Sequence, residues 1–322
     1  MQKQNIKMVI DMFCSFAAAN GDLESLIFGY KNGYPWNCAT CENAASNGYL
    51  NCLQYAHENG CPWNGWTCDA AASNGHLNCL QYAHENGCPW NEWTCAYAAR
   101  DGHLKCLIYA HENGCPWNKW TCMDAAAHGV LNCLIYAHEN GCPWDEDTCA
   151  YAAENGHLDC LKYAHENGCP WDERTCGYAT CNGQINCLIY AHEHGCPWNH
   201  NTCVDAAYNG HLKCLIYAHQ NGCPWDEMTC MYAAEYSHFD CLAYAIDYGA
   251  STKGISSDAI EKALRRWHYL RVIIRRIRSL KRRNEKRAVD LISKEWLDYS
   301  YAPVSGRPGY ERVRKSFYAK LI

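Results

Sequence analysis

Apolar positions along this chain recur at spacings of three and four, in short runs that end repeatedly at Asn-Gly or Gly-Cys-Pro. Residues 145–171, DEDTCAYAAENGHLDCLKYAHENGCPW, show the pattern. Spacings of three and four place apolar side chains on one face of an α-helix, and no segment alternates long enough to compete as a strand. The spacing predicts one helix over Glu146–Glu154, with Asp145 as its N-cap and Asn155-Gly156 as its stop. It predicts a second over Leu158–Glu166, ended by Asn167-Gly168 in a left-handed turn and kept from continuing by Pro170. Ala152 and Ala153 are small enough for the two helices to approach closely.

The pattern repeats every 27 residues without slipping. Cys61, Cys88, Cys115, Cys142, Cys169, Cys196 and Cys223 share one phase, each followed by Pro-Trp, and Trp36 opens a series of eight tryptophans that ends at Trp225. A constant period in this range implies a solenoid, in which each unit buries its apolar face only against its neighbours. Nine units fit residues 1–251. The end units deviate, as solvent-facing caps should: the first carries Ser25, Tyr30 and Tyr34 where central units carry Cys, His and Cys, and the last keeps Cys241 but has Ile246 and Ala250.

The run AAENGHLDCLKYAHENG resembles the ankyrin consensus core AAxxGHLEVVKLLLExGA, and the likeness recurs in every central unit over residues 12–250. An ankyrin repeat has about 33 residues. The units here are shorter between Trp and the next Thr-Cys, so the projecting β-hairpin of ankyrins is expected to be missing. Short units carrying the phrase HENGCPWDExTC look like the ankyrin-like repeat proteins of large DNA viruses that infect protists. The resemblance implies an all-α, ankyrin-like solenoid of stacked helix-turn-helix repeats that acts as a binding scaffold. It also implies that Cys149, Cys160 and His165 occupy core positions.

The 26 cysteines change the picture only after their context is read. In a short secreted chain they would suggest a disulfide framework, but no basic segment followed by an apolar run and a cleavage site is found, so reduced thiols inside a cell are the expectation. No segment near 18 uninterrupted apolar residues suggests a membrane span. Seven blocks share the form C-x4-H-x3-C-x6-C, of which Cys160, His165, Cys169 and Cys176 are one. Three thiols and an imidazole form a legitimate zinc set. Against it, five helical residues between Cys160 and His165 turn them roughly 140° apart, and free cysteine packs as a small hydrophobe. Cys14 and Cys41 persist although the unit between them lacks the other donors, whereas His and the loop Cys come and go together, as a directly interacting pair would. Core packing is therefore the reading preferred here, no cofactor is assigned, and His165, Cys169, Cys176 and their 27-residue equivalents stay as zinc candidates. Cys38 and Cys181 fall outside the pattern. A sevenfold copy of Cys and His argues against a catalytic dyad, since an active site needs one supported constellation. No catalytic residue is assigned. A second histidine, as in His76, His103, His157, His211 and His238, is replaced elsewhere by Tyr49, Val130 and Gln184, which points to a role in the turn between helices.

Positions that vary between units are the candidates for recognition. Two residues before each Cys of Thr-Cys stand Trp66, Trp93 and Trp120, then Asp147, Arg174, Asn201 and Met228. The three tryptophans would form an aromatic ladder that anchors a protein partner, or would cover the adjacent Pro-Trp loops. The net charge of −6 divides unevenly: residues 252–322 hold 19 basic against 7 acidic residues and residues 1–251 hold 9 against 27. An acidic solenoid favours a basic protein partner and repels nucleic acid. The tail predicts a longer helix from Ser257-Asp258, with Glu261 completing a capping box. Its apolar stripe runs from Ile260 to Leu280, opposite Arg265, Arg266, Arg271, Arg275, Arg276, Arg278, Lys281, Arg282 and Arg283. Such a helix either meets an anionic partner or docks on the last repeat. Residues 303–309 read as a loop before a short basic segment. The expectation is a protein-interaction adaptor working in the cytoplasm of a producing or host cell, or in a virion. The alternative is a packaging component whose tail contacts nucleic acid.

Overall fold

The computed structural model describes residues 2–265, with side chains described from residue 10. The tail positions Arg266, Arg271, Arg275, Arg276, Arg278, Lys281, Arg282 and Arg283 lie outside the described residues. The described part contains nine helix pairs and no strand. After Gln2–Ala19, the helices from Leu23–Lys31 to Phe239–Asp247 all have nine residues. Helices fall where the apolar spacing puts them: Glu146–Glu154 and Leu158–Glu166 match the expected bounds residue for residue.

Two compact units divide the chain, Met1–Thr229 and Cys230–Ile322. In the first unit, the first helices of successive repeats pack on one another as one layer, and the second helices form the other. The result is an ankyrin-like solenoid of stacked helix pairs. One leucine per repeat, Leu53, Leu80, Leu107, Leu134, Leu161, Leu188 and Leu215 in turn, is wholly buried. Burying such a side chain contributes about 1.5–3 kcal/mol. The facing first helices carry alanine pairs such as Ala71-Ala72 and Ala152-Ala153, also wholly buried. A branched residue there would hold the layers apart.

The first helices after Gln2–Ala19 are each capped by an Asn or Asp. The side chains of Asn64, Asn91, Asn118, Asp145, Asp172 and Asn199 accept the backbone N–H groups of Trp66, Trp93, Trp120, Asp147, Arg174 and Asn201. Every variable ladder position therefore starts from a fixed backbone.

Asp22 caps the second helix of the first repeat through the Ser25 N–H, but the variable residue that opens the later second helices makes no side-chain cap bond. Its side chain lies instead over the left-handed glycine of the preceding repeat: Tyr49 over Gly21, His76 over Gly48, His103 over Gly75, His157 over Gly129 and Gln184 over Gly156. This contact explains why tyrosine, glutamine and histidine all serve, because each needs only to cover a bare backbone.

In the second unit, Phe239–Asp247 is followed by a helix over 257–265. Its N-cap is Ser256, whose hydroxyl accepts the Ala259 N–H, so the helix begins ahead of the expected Asp258 cap. Asp258 instead pairs with Lys262 at 2.6 Å, and Arg265 pairs with Glu261. Ala263 is wholly buried and the Lys262 ammonium lies 6.0 Å from the Phe239 ring centroid. Ser237 stands where other repeats have glycine and adopts φ 62°.

Gly75 and Gly87 separate two costs, since both have positive φ but only Gly75 has a ring, that of His103, in the place a Cβ would take. Gly87→Ala is expected to cost about 1–2 kcal/mol from backbone strain alone, and Gly75→Ala at least about 1 kcal/mol more. Urea unfolding of the two variants checks the order, and equal losses would contradict the packing role of His103.

Candidate functional site: aromatic and acidic positions on the first helices

The histidines and loop cysteines lie at the repeat junctions, and their geometry corrects the expected pairing. His165 does not contact Cys169 as a partner. Its ring lies flat on Trp171, and the equivalent rings from His57 to His219 do the same on Trp63 to Trp225, at 3.6–3.8 Å and 10–13°. A tyrosine of the next repeat stands edge-on to both rings, as Tyr190 does at 5.9 Å from His165 and 6.4 Å from Trp171. His165 is half-exposed rather than a core residue, in contrast to Cys149 and Cys160, which are buried as the resemblance implied. In the first repeat Tyr30 takes the same place, stacked on Trp36 at 4.3 Å. In the last repeat Ile246 and Thr252 stand where the other repeats have the histidine and the tryptophan. Histidine therefore accompanies the tryptophan six residues on, a pairing the shared loop cysteine had masked.

Loop thiols have a separate task. Cys61, Cys88, Cys115, Cys142, Cys169, Cys196 and Cys223 each donate to the backbone carbonyl of the Asn or Asp cap 24 residues earlier, at 3.2–3.3 Å. Cys169 thus binds the Asp145 carbonyl, while Cys176 is wholly buried and contacts the Cys196 sulfur. That contact, together with burial, pushes the Cys176 thiol far up from its ordinary value. Burial alone pushes Cys106 up to about 11 and Cys133 up to about 12. Zinc requires thiolates, and burial opposes that form at Cys106, Cys133 and Cys176. Among the described residues, no three His, Cys, Asp or Glu side chains group as a metal set. No disulfide joins the cysteines, of which Cys38 and Cys181 are the two that are not fully buried.

The variable positions gather on the face of the first helices, in two distinct groups. Trp66, Trp93 and Trp120 are exposed to 57%, 39% and 37%. Trp93 and Trp120 tilt together at 6.1 Å, and Trp93 also stacks on Tyr97 at 5.9 Å. Between Trp66 and Trp93 the ladder opens into a cleft of about 490 Å³, lined by Gly65, Trp66, Asp69, Trp93 and Tyr97 and by the caps Asn64 and Asn91. Asp69, only 7% exposed, accepts the Thr94 hydroxyl at 2.5 Å. Burial pushes its carboxyl up against the lowering effect of that bond. Asp69 and Tyr97 do not lie at the variable position before Thr-Cys, so that position alone does not reveal them. The signal that would have found them is the loss of bulk in a single repeat, Gly65 and Ala70, where the next repeat has Glu92 and Tyr97.

The second group is self-paired. Arg174 contacts Asp147 at 2.7 Å, Asp172 at 2.8 Å and Glu146 at 3.4 Å, and Lys119 contacts Asp145 at 2.7 Å and Asp147 at 3.5 Å. Asp147 and Arg174, expected as separate contacts for a partner, neutralise each other. Asn201 and Met228 begin their helices with capped N–H groups.

This geometry defines a helix-pair repeat protein with a built aromatic and acidic face. No family model matches the chain, and no curated protein does. Among solved structures it is similar to the human ASB11 ankyrin repeat domain, with a TM-score of 0.43 and 17% identity over 49% of this chain and 84% of that one. Among the described residues, no helix is long and apolar enough to cross a membrane.

Burial, and secondarily the neighbouring His194, holds the His165 imidazole below its ordinary value, and burial does the same to His219. An imidazole harder to protonate when folded supports stability above its unfolded pKa, near 6.5, and withdraws that support as pH falls through the lower folded value. The urea midpoint is expected to fall between about pH 7 and about pH 5, and less so in His165→Tyr, which keeps the stack in the manner of Tyr30. An unchanged fall in the variant would remove His165 from the explanation.

Proposed function

We propose that this protein is a non-catalytic scaffold that binds another protein through the first-helix face, with Trp66, Trp93 and Trp120 as its anchors. The observation that carries this reading is the exposure of three indoles on consecutive repeats, each on a backbone fixed by its cap. Aromatic anchors of this kind concentrate binding energy in small areas, and a rigid stack loses little entropy on association. A basic partner is favoured by the 27 acidic against 9 basic residues in the first 251 positions. Asn201 and Met228 extend the same face with smaller contacts. Absence of catalysis is supported by the repetition of His and Cys, which serve the junctions of every repeat. The likeness to short-repeat viral proteins supports a viral, host-directed adaptor, and many cysteines without a disulfide suit a reducing cytoplasm. We expect no zinc, because the donors are committed to an indole, a carbonyl and another sulfur.

The test compares proteins retained by the immobilised full chain with those retained by a Trp66→Ala/Trp93→Ala/Trp120→Ala variant. Partners are expected to be lost in the variant, by about 2 kcal/mol or more per main anchor, with helix content unchanged. Retention of the same proteins by both chains would reject the face as the binding surface.

A second reading rests on the 19 basic residues of 252–322, set against 7 acidic ones: a nucleic-acid contact made by the tail, as in a packaging component. If so, the full chain binds duplex DNA with an affinity that falls steeply with added salt, and replacing Arg275, Arg276, Arg282 and Arg283 by glutamine flattens that slope. Salt-independent or absent binding rejects this role.

A further inference from the structure

At three places the first-helix face carries cations of its own. At Trp120 the chain supplies Lys119, whose ammonium lies 5.6 Å from the indole centroid and 2.7 Å from Asp145. Arg100 lies 4.7 Å over the ring of Tyr97, which also lines the Trp66–Trp93 cleft, but its charge pairs with Asp101 at 2.8 Å and not with Asp69. At position 174 the arginine itself fills the site among three carboxylates. The cleft between Trp66 and Trp93 has the same parts, indole walls, a tyrosine and a carboxylate, and among the described residues no lysine or arginine pairs with Asp69. The position that holds Lys119 two repeats on is Gly65 here, so the chain leaves open the volume that its own lysine would enter.

A carboxylate so poorly exposed loses most of its water, and a hydroxyl compensates only part of its charge. The indoles that line the cleft with it attract cations through their quadrupole and shed water readily. An apolar guest would gain the ring faces but leave the carboxylate uncompensated, and an anionic guest would meet it directly. A cation on a slim alkyl stem satisfies both components.

We infer that the cleft formed by Trp66, Asp69, Trp93 and Tyr97 receives the cationic side chain of a lysine or arginine from the partner protein, the charge lying between the indoles and paired with Asp69. The inference rests on the first-helix face being the protein-binding surface, and it names what that surface recognises. Lysine and arginine share the required chemistry, though arginine's flat guanidinium stacks on indole while an ammonium, bare or methylated, presents a point charge.

The test uses the full chain with 15N-labelled tryptophan and follows the indole N–H resonances, assigned by their loss in Trp66→Phe and Trp93→Phe. Probes are the peptide Gly-Gly-Lys-Gly-Gly and its arginine, trimethyl-lysine, norleucine and glutamate counterparts. The cationic peptides are expected to shift the Trp66 and Trp93 resonances at millimolar concentration, the norleucine and glutamate peptides to leave them in place. Asp69→Ala, a residue the next repeat tolerates as Ala96, is expected to weaken the response on the order of tenfold. Gly65→Lys is expected to abolish it by placing the chain's own ammonium in the cleft; a Cβ at Gly65 would meet the Pro89 carbonyl at an ordinary 3.6 Å. The ranking of lysine, trimethyl-lysine and arginine tells which cation fits. Shifts of equal size with norleucine, no shift with any cation, or an undiminished response in both variants would overturn the inference. Peptide binding and the retention of partners by the tryptophan variant are read separately: loss of partners without any peptide response leaves the face as a docking surface and rejects only the cation site.

Discussion

What holds successive repeats in register is the junction where one second helix hands over to the next first helix. A histidine lies flat on the tryptophan six residues on, a tyrosine from the following repeat closes against the edge of both, and the loop thiol reaches back to the preceding cap carbonyl. Helices of nine residues are too short to persist alone in water. Their stability has to come from tertiary contacts, and the wholly buried leucines and alanines provide the apolar part. Without a projecting hairpin to link the loops, the aromatic sandwich and the thiol bond supply the directional part.

This division of labour leaves other positions free. Because the junction and the core consume the repeated residues, only a few positions per repeat can vary without loss of the stack, and they sit at the starts of the first helices. Where both signs of charge arise there, as at Lys119, Asp147 and Arg174, they neutralise one another in an exposed network whose pairs each contribute little to stability. Where aromatic residues arise beside a lone buried carboxylate, as at Trp66, Trp93 and Asp69, the surface keeps an uncompensated demand. Recognition and stability therefore draw on different residues of the same 27.

The linear sequence determined a good deal by itself. The period of 27, the two helices per repeat, their caps and their glycine stops were all legible, because each is a local consequence of residue spacing and backbone preference within one repeat. So was the burial of Cys149 and Cys160. Contacts between residues 24 to 27 apart were not legible, since the phase relation is the same for every repeated pair and does not say which of them touch. The sequence coupled His165 to Cys169 because both vanish in the end repeats. Only the coordinates show that His165 answers to Trp171, six residues on, and Cys169 to Asp145, 24 residues back. Likewise Asp147 and Arg174 read as independent until the rise from one repeat to the next brings them to 2.7 Å. The cleft at Asp69 depends on bulk missing from one repeat and present in its neighbour, a difference that acquires meaning only when the two are laid side by side. Local chemistry fixed each repeat; the distance between repeats, set by packing of leucine on alanine, decided which side chains meet.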